Sequence, residues 1–213
     1  MAYQSIWYHT GLPKDIVNIL DDYVSENFDS EMRDSELLGK YKDKNKRNSE
    51  NAWINTNHWI AGFIWHYVNK ANRENFQYDL TNIDGENLQY TKYSEGQYYN
   101  WHNDAGISNC YKPEYIGNSG GFEEDVDNLQ LTDFLKTNCE LVRKLSFTLQ
   151  LSDPDEYEGG NVQLIDEAGR SYIAPRQRGT IILFDSRTQH RVIKVKKGVR
   201  KSIVGWVLGP RWK

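Results

Sequence analysis

The chain has 213 residues, a formal net charge of -4 at pH 7 and an aromatic content of 13%. This length fits one domain with its own core, and the acidic balance offers no overall basic field to a phosphate backbone, which disfavours a nucleic-acid partner. The sequence contains no apolar run of about eighteen residues and no basic and apolar N-terminal segment, so we expect a cytoplasmic protein with no membrane partner.

Two helices are predicted in the first third of the chain. Between Leu12 and Phe28 apolar residues recur at spacings of three and four, after a proline that a first helical turn tolerates. The apolar residues of this pattern are Ile16, Ile19, Leu20 and Val24. A second amphipathic pattern runs over residues 57–72, and the charged stretch between the two, residues 34–50, is predicted to be a solvated loop. Residues 1–75 are therefore expected to be mainly helical support.

From residue 76 onward the pattern changes to short strands. Leu145–Leu151 alternates between apolar and polar residues, as a strand with one buried face does. Further strand-like segments lie at 161–165, 179–184, 191–195 and 201–208. Helices followed by many short strands favour an α+β protein whose β part is a sandwich or jelly roll. We predict a single domain over residues 1–213, with its β core in residues 76–213.

An insertion is predicted within this β core, over residues 105–142. It has a glycine-rich centre and a helical pattern over residues 131–138. Long loops inside compact domains are often functional, so the insertion is a candidate lid. It contains both cysteines, Cys110 and Cys139, which we expect to be reduced thiols, with a disulfide as the alternative.

A candidate metal site begins at the sequence His102-Asn103-Asp104, which follows an extended, aromatic segment. Residues two apart in a strand point to the same side at a Cα separation of ~7 Å, so an imidazole and a carboxylate converge there. His190 lies between two predicted strands and supplies a third ligand. Two histidines and one carboxylate on one face leave other coordination positions open, as non-haem Fe(II) requires to take a bidentate organic ligand and dioxygen.

Arg200 is the candidate partner for the far end of such an organic ligand. A hairpin turn at 196–198 would place it beside Val195, ~16 Å along the sheet from His190. A short diacid together with an extended arginine side chain spans that gap, and the planar guanidinium binds a carboxylate through two hydrogen bonds. Ser202, two residues further on, faces the same side and offers another hydrogen bond.

Three stretches, in this order, carry a resemblance to a known family. They are residues 92–104 (KYSEGQYYNWHND), residues 143–152 (RKLSFTLQLS) with Glu158-Gly159-Gly160, and residues 179–206. Together they resemble the prolyl-hydroxylase-like branch of the 2-oxoglutarate and Fe(II)-dependent dioxygenases. The resemblance implies a double-stranded β-helix (jelly-roll) core, with iron on His102, Asp104 and His190 and the oxoglutarate carboxylate on Arg200.

The resemblance also implies roles for residues around the metal. Tyr93 and Tyr99 would line the pocket for cosubstrate and substrate, Arg143 would face the substrate, and Trp206 would form a wall beside the iron. One departure concerns Gln150, which stands where several prolyl hydroxylases place a tyrosine that hydrogen-bonds oxoglutarate. Either the Gln150 amide or Tyr93 would then make that contact.

The implied activity is hydroxylation of a C–H bond, with conversion of 2-oxoglutarate to succinate and carbon dioxide. The implied cofactors are Fe(II), 2-oxoglutarate as cosubstrate, dioxygen and ascorbate. A peptidyl proline is the leading substrate, and a free amino acid or another small molecule is the alternative. Nucleic-acid demethylases share this core but carry another arginine six residues after the oxoglutarate arginine, where this chain has Trp206. A non-catalytic jelly-roll binding module is disfavoured by the complete set of four residues.

Overall fold

The structure is a computed structural model, and it describes residues 4–36, 43–83, 88–105, 110–111 and 141–212. Its two α-helices are α1 (Lys14–Phe28) and α2 (Trp59–Ala71), and a π-helical turn, Asn72–Phe76, continues α2. The strands are β1 (Ile6–His9), β2 (Arg33–Asp34), β3 (Arg47–Asn48), β4 (Glu50–Ile54), β5 (Asn82–Ile83), β6 (Leu88–Tyr93), β7 (Tyr98–His102), β8 (Cys110–Tyr111), β9 (Leu141–Gln150), β10 (Tyr157–Gly159), β11 (Val162–Ile165), β12 (Ser171–Ile173), β13 (Ile181–Asp185), β14 (His190–Val192), β15 (Val195–Gly198) and β16 (Arg200–Pro210).

Two antiparallel sheets form the β core. The larger sheet has the order β1-β13-β9-β16-β6-β4-β2 and the smaller one the order β12-β11-β14-β7-β3. Leu164 of the smaller sheet packs in one apolar cluster with Ile182 and Phe184 of the larger sheet, so the two sheets face each other. The predicted α+β class with a jelly-roll core is confirmed.

The two helices cover the outer face of the larger sheet. Alternate residues of β9, such as Leu145, Phe147 and Leu149, share a core cluster with Leu20 of α1 and Ile64 of α2. Ser146, Thr148 and Gln150, which alternate with these residues, therefore point inward, between the two sheets, as the period of two requires.

The predicted helices are present, with two differences in α1. It begins at Lys14 rather than Leu12, because Pro13 has an extended ψ of 135° and a residue that precedes a proline avoids the helical region. The buried face consists of Val17, Leu20 and Val24, whereas Ile16 and Ile19 are 37% and 56% exposed.

The predicted solvated loop over residues 34–50 is wrong for its last residues. Arg47 belongs to β3, which pairs with β7 of the smaller sheet, and Ser49 links β3 to β4. Both side chains are buried. Short strands whose buried residues are polar carry no alternation of apolar residues, so the sequence pattern does not distinguish them from a loop.

The hairpin predicted at residues 196–198 is also wrong. These residues belong to β15, which pairs with β10, while Arg200 begins β16 in the larger sheet. Gly198 has a φ of +76°, and a Cβ there would lie 2.1 Å from the carbonyl oxygen of Glu156. The chain thus crosses from one pairing partner to another at this glycine, and Arg200 lies opposite Tyr93 rather than beside Val195.

The interior of the predicted insertion, with its helical pattern over 131–138 and Cys139, lies outside the described residues. The backbone of Cys110 lies in β8, which pairs with the start of β9, so residues 141–142 belong to the core sheet. None of the helices that the structure describes combines the length and apolar character that a membrane span needs.

Candidate metal centre

The two predicted histidines meet across neighbouring strands of the smaller sheet. His102 ends β7, and His190, at the start of β14, is its direct partner in the register. Asp104 follows two residues after His102 and turns its carboxylate toward both imidazoles. His102 Nε2 lies 3.6 Å from Asp104 Oδ1, and His190 Nε2 lies 3.5 Å from Asp104 Oδ2. One potential ligand atom from each residue lies within 4.8 Å of the others.

A β-bulge in β7 brings an aromatic ring to this cluster. The register shifts between the pair His102 with His190 and the pair Tyr99 with Val192, so β7 holds one more residue than β14 there. The additional residue turns Tyr99 and His102, three apart in sequence, to the same side. Their rings stack with a centroid distance of 3.6 Å and an interplanar angle of 16°.

Backbone hydrogen bonds fix which nitrogen each imidazole presents. His102 Nδ1 lies 2.7 Å from the carbonyl oxygen of Asn100, and His190 Nδ1 lies 3.0 Å from that of Thr188. A carbonyl oxygen only accepts, so each Nδ1 carries the hydrogen and donates it. The lone pair of Nε2 in the neutral imidazole therefore faces Asp104, as metal-binding histidines arrange it.

The carboxylate is held by two serines. Ser146 Oγ donates to Asp104 Oδ2 at 2.7 Å and lies 3.0 Å from Ser186 Oγ. The backbone carbonyl of Ser186 accepts a hydrogen bond from the Asp104 amide at 2.9 Å. Burial alone would raise the pKa of Asp104, but interactions with His190 and His102, the charge of Arg143 and the Ser146 hydrogen bond lower it to about 2. Burial and the nearby His190 lower the pKa of His102 to about 3. At neutral pH the cluster thus presents an ionised carboxylate beside a neutral His102.

Arg200 marks the far end of the interior face of the larger sheet. Its side chain is 1% exposed and donates from Nε and Nη2 to Gln150 Oε1, at 3.2 and 2.9 Å. The guanidinium carbon lies 5.6 Å from the centroid of the Tyr93 ring. Desolvation lowers the pKa of Arg200. A buried guanidinium is stable when an anion pairs with it, and no carboxylate of the described residues forms an ion pair with this one, whose partners are Gln150 and Tyr157.

Polar atoms without partners surround this arginine. Register pairs Ser202 with both Gln150 and Thr91, and pairs Val204 with Thr148, so these side chains share the interior face with Arg200. Within the described residues no hydrogen-bond partner is found for Arg200 Nη1, Ser202 Oγ, Thr91 Oγ1 and Thr148 Oγ1, all of them buried. Buried polar groups in native proteins are nearly always satisfied. Their grouping indicates a space for a polar ligand.

Two of the predicted substrate residues, Arg143 and Trp206, lie at the opposite end of the same face. Trp206 pairs in register with Ser146, and the guanidinium carbon of Arg143 lies 3.8 Å from the centroid of the Trp206 ring. Arg143 is buried, with 6% of its surface exposed.

The structure thus brings together all ten residues selected from the sequence, in three groups along one interior. Ser146, Ser186 and Arg47 complete the surroundings and were not predicted. Ser146 carries a sequence signal, because it occupies an inward position in the alternation of β9. Arg47 carries none, because its position depends on the pairing of β3 with β7.

The residues fit an Fe(II) ion and a bound diacid. Two imidazole Nε2 atoms and one carboxylate converge from one side, which is the facial arrangement that non-haem Fe(II) uses with other positions open. The unpartnered Nη1 of Arg200 and Oγ of Ser202 supply donors for the distal carboxylate of a diacid. Gln150 Oε1 accepts two hydrogen bonds from Arg200 and so holds the guanidinium in place.

Comparison with known proteins agrees with this architecture. The family model described as the 2OG-Fe(II) oxygenase superfamily matches residues 88–208, which contain both sides of the metal cluster and Arg200. The chain belongs to this superfamily of iron-dependent oxidoreductases.

Curated relatives match only part of the chain. A PKHD-type hydroxylase of Synechococcus sp. (strain CC9311) is 36% identical over 88 residues, which are 41% of this chain and 36% of that protein. The chain spans about a third of the length of the curated relatives it matches.

Solved structures share the fold over nearly the whole chain. A prolyl-4-hydroxylase of Pseudomonas putida superposes with a TM-score of 0.64 at 16% identity, covering 98% of this chain and 94% of that one. A prolyl hydroxylase of Trichoplax adhaerens, in complex with a hypoxia inducible factor peptide fragment, gives a TM-score of 0.68 at 14% identity, covering 96% and 84%. At these identities the likeness concerns the fold.

Proposed function

We propose that the chain is a 2-oxoglutarate- and Fe(II)-dependent dioxygenase that hydroxylates a C–H bond, with a peptidyl proline as the leading substrate. The observation that carries the proposal is the geometry of one interior: a His-Asp-His cluster at one end and, at the other, a buried arginine with no carboxylate ion pair among the described residues. His102, Asp104 and His190 would hold the metal, and Arg200 with Ser202 would hold the oxoglutarate carboxylate.

The bound Fe(II), with oxoglutarate and dioxygen, would supply the oxidising power, one oxygen atom going to the substrate C–H bond and the other to succinate as carbon dioxide leaves. The chain's own contribution is binding and orientation. The hydrogen bonds from each Nδ1 to a backbone carbonyl keep both Nε2 atoms directed at the metal, and Ser146 holds the carboxylate that faces them.

Arg200 and its neighbours would orient the cosubstrate. Gln150 fixes the guanidinium plane from one side, and Tyr93 lies against it from another. A diacid anchored there is restricted to one direction along the interior face, which leads toward the metal cluster. A fixed orientation lowers the entropic cost of forming a productive complex.

Aromatic side chains would exclude water and hold the substrate. The ring of Tyr99 covers His102, and burial raises the pKa of its phenol to about 12, so the phenol stays protonated at neutral pH. Trp206 and Arg143 form the adjacent wall. An interior shielded in this way favours oxidation of the substrate over side reactions with water.

Peptidyl proline leads because the similar structures include prolyl hydroxylases, one of them bound to a peptide fragment. A free amino acid or another small molecule is the second candidate for the same chemistry. Ascorbate would act as an accessory reductant in either case.

A succinate-release assay tests the proposal. The protein is incubated with Fe(II), 2-oxoglutarate and, in separate reactions, proline-rich peptides, free proline and other amino acids. We expect succinate formation that a proline peptide stimulates. Stimulation by free amino acids alone would transfer the proposal to the small-molecule class. Absence of oxoglutarate turnover under all conditions, with iron bound, would refute the dioxygenase assignment.

A further inference from the structure

A second buried arginine, Arg47, lies in the same interior, and its partners among the described residues are all neutral. Arg47 is 8% exposed, donates from Nε to Ser49 Oγ at 3.0 Å and from Nη2 to Gln89 Oε1 at 3.0 Å, and its guanidinium carbon lies 4.9 Å from the centroid of the Tyr99 ring. All three partners are neutral, and no carboxylate of the described residues forms an ion pair with it. Such a buried charge is stabilised when a ligand supplies the anion.

The position of Arg47 separates it from the oxoglutarate end. Its partner Gln89 pairs in register with Val204, which lies four residues along β16 from Arg200, a distance of ~13 Å. Arg47 also contacts Tyr99, the ring that stacks on His102. It therefore lies across Tyr99 from the metal cluster and near Val204, toward the end of the interior that holds Trp206.

A further cation lies at this end. Val204 and Trp206 are two residues apart on β16 and face the same side, and Arg143 stacks on Trp206 at 3.8 Å. Val204 is only partly buried although it faces the interior, as expected for the wall of an open cavity. This part of the interior thus combines an aromatic wall with two arginines, Arg47 and Arg143.

We propose that Arg47 determines substrate specificity by binding a carboxylate that the substrate carries close to the carbon that is hydroxylated. The inference rests on the proposed function, because Arg200 must take the oxoglutarate carboxylate for Arg47 to be left for the substrate. Arg47 presents two nitrogens to neutral partners and keeps Nη1 for an anion, and a charge-assisted bond of this kind discriminates strongly against a neutral amide of the same shape.

The carboxylate has two possible sources, an acidic side chain of a peptide or the α-carboxylate of a free amino acid. The test therefore has two arms. In the first, proline peptides carry Asp or Glu at each position within three residues of the proline, and a matched set carries Asn or Gln. In the second, free amino acids are compared with their α-carboxamides. The measurement is substrate-stimulated succinate release, expressed as the ratio of kcat/KM for acid over amide.

Three variants make the measurement specific. Arg47→Gln removes the charge, and Gln89→Glu keeps Arg47 but supplies it with an internal anion at the position of its present hydrogen bond. Lys46→Gln is the matched control, because it removes one positive charge from the neighbouring, exposed residue. We expect a ratio of at least about tenfold for the wild type and Lys46→Gln in one of the arms, and a ratio near one for the other two variants.

A wild-type ratio near one in both arms overturns the inference. An equal loss of kcat/KM for acid and amide substrates in Arg47→Gln also overturns it, because that result would assign Arg47 a structural role. A rise in the half-saturating oxoglutarate concentration in Arg47→Gln, with the acid preference unchanged, would assign it to the cosubstrate instead. If Arg47→Gln does not fold, Gln89→Glu alone decides between these results. Failure of the proposed function is distinguished from these results, because the wild type would then show no turnover of oxoglutarate even without a substrate.

Discussion

Replacement of Arg200 by methionine has two effects of unequal size in this structure. The variant removes the charged donors for oxoglutarate. A hydrogen bond to a charged group contributes about 1.5–3 kcal/mol, so loss of a two-bond contact weakens oxoglutarate binding by about 3 kcal/mol or more, roughly a hundredfold. Stability responds differently. Gln150 Oε1 loses both of its donors, which costs about 1–3 kcal/mol. Removal of a buried charge that has no carboxylate partner in the described part of the chain returns a similar amount.

The expected result for Arg200→Met is therefore a free energy of unfolding within about 2 kcal/mol of the wild type, together with the loss of oxoglutarate affinity. Urea unfolding measures the first and titration of oxoglutarate into the metal-loaded protein measures the second. Arg178→Met is the control, because Arg178 has an anionic partner, Asp21 Oδ2, at 3.0 Å. It should lose about 1–2 kcal/mol of stability and bind oxoglutarate normally.

Two results would refute this reasoning. If Arg200→Met bound oxoglutarate like the wild type, the diacid would not be anchored at this arginine. If the variant lost many kcal/mol of stability with unchanged affinity, Arg200 would be a structural ion whose anion lies elsewhere in the chain.

Three further predictions concern the surroundings of the site. Ser146→Ala removes the donor to Asp104 and should weaken Fe(II) binding about tenfold in an anaerobic titration. Tyr78→Phe removes a 2.6 Å hydrogen bond to Asp185 and should cost about 1–2 kcal/mol of unfolding free energy at pH 7 in urea. Burial raises the pKa of Asp185, but hydrogen bonds from Arg187 and Tyr78 outweigh it and keep the pKa below 3.8. The difference in unfolding free energy should therefore persist above pH 3.8 and vanish as the pH falls through the folded-state pKa of Asp185. Gly205→Ala places a Cβ 2.5 Å from a buried phenyl ring and should lower stability by about 1–3 kcal/mol, measured by thermal unfolding.

The parts of the fold that sequence reasoning could predict are those whose residues alternate or recur with a clear period. The strand β9 and the helix α2 follow from such patterns, because each buries one apolar face against the same core. Strand pairing does not follow from them. β3 and β15 are short and largely polar, and their partners are distant in sequence, so the hairpin expected before Arg200 was wrong.

The candidate site likewise contains residues that the sequence could group together and contacts that it could not predict. His102 and Asp104 could be joined by local strand geometry, and His190 by its place between two strand patterns. The contact of Gln150 with Arg200 depends on the register of β9 with β16, where Ser202 and Gln150 are opposite each other. A register is set by the packing of whole sheets and by bulges, which single-sequence patterns do not specify.

The most direct test of the central claim is an anaerobic titration of Fe(II) into the metal-free protein in the presence of 2-oxoglutarate. The wild type and Asp104→Ala are compared, with Asp166→Ala as a control that removes a carboxylate from the turn between β11 and β12. Circular dichroism checks that each variant is folded. We predict one tightly bound Fe(II) per chain in the wild type and in Asp166→Ala, and an affinity at least about a hundredfold lower in Asp104→Ala. Unchanged Fe(II) affinity in a folded Asp104→Ala protein would contradict the assignment of the metal to His102, Asp104 and His190.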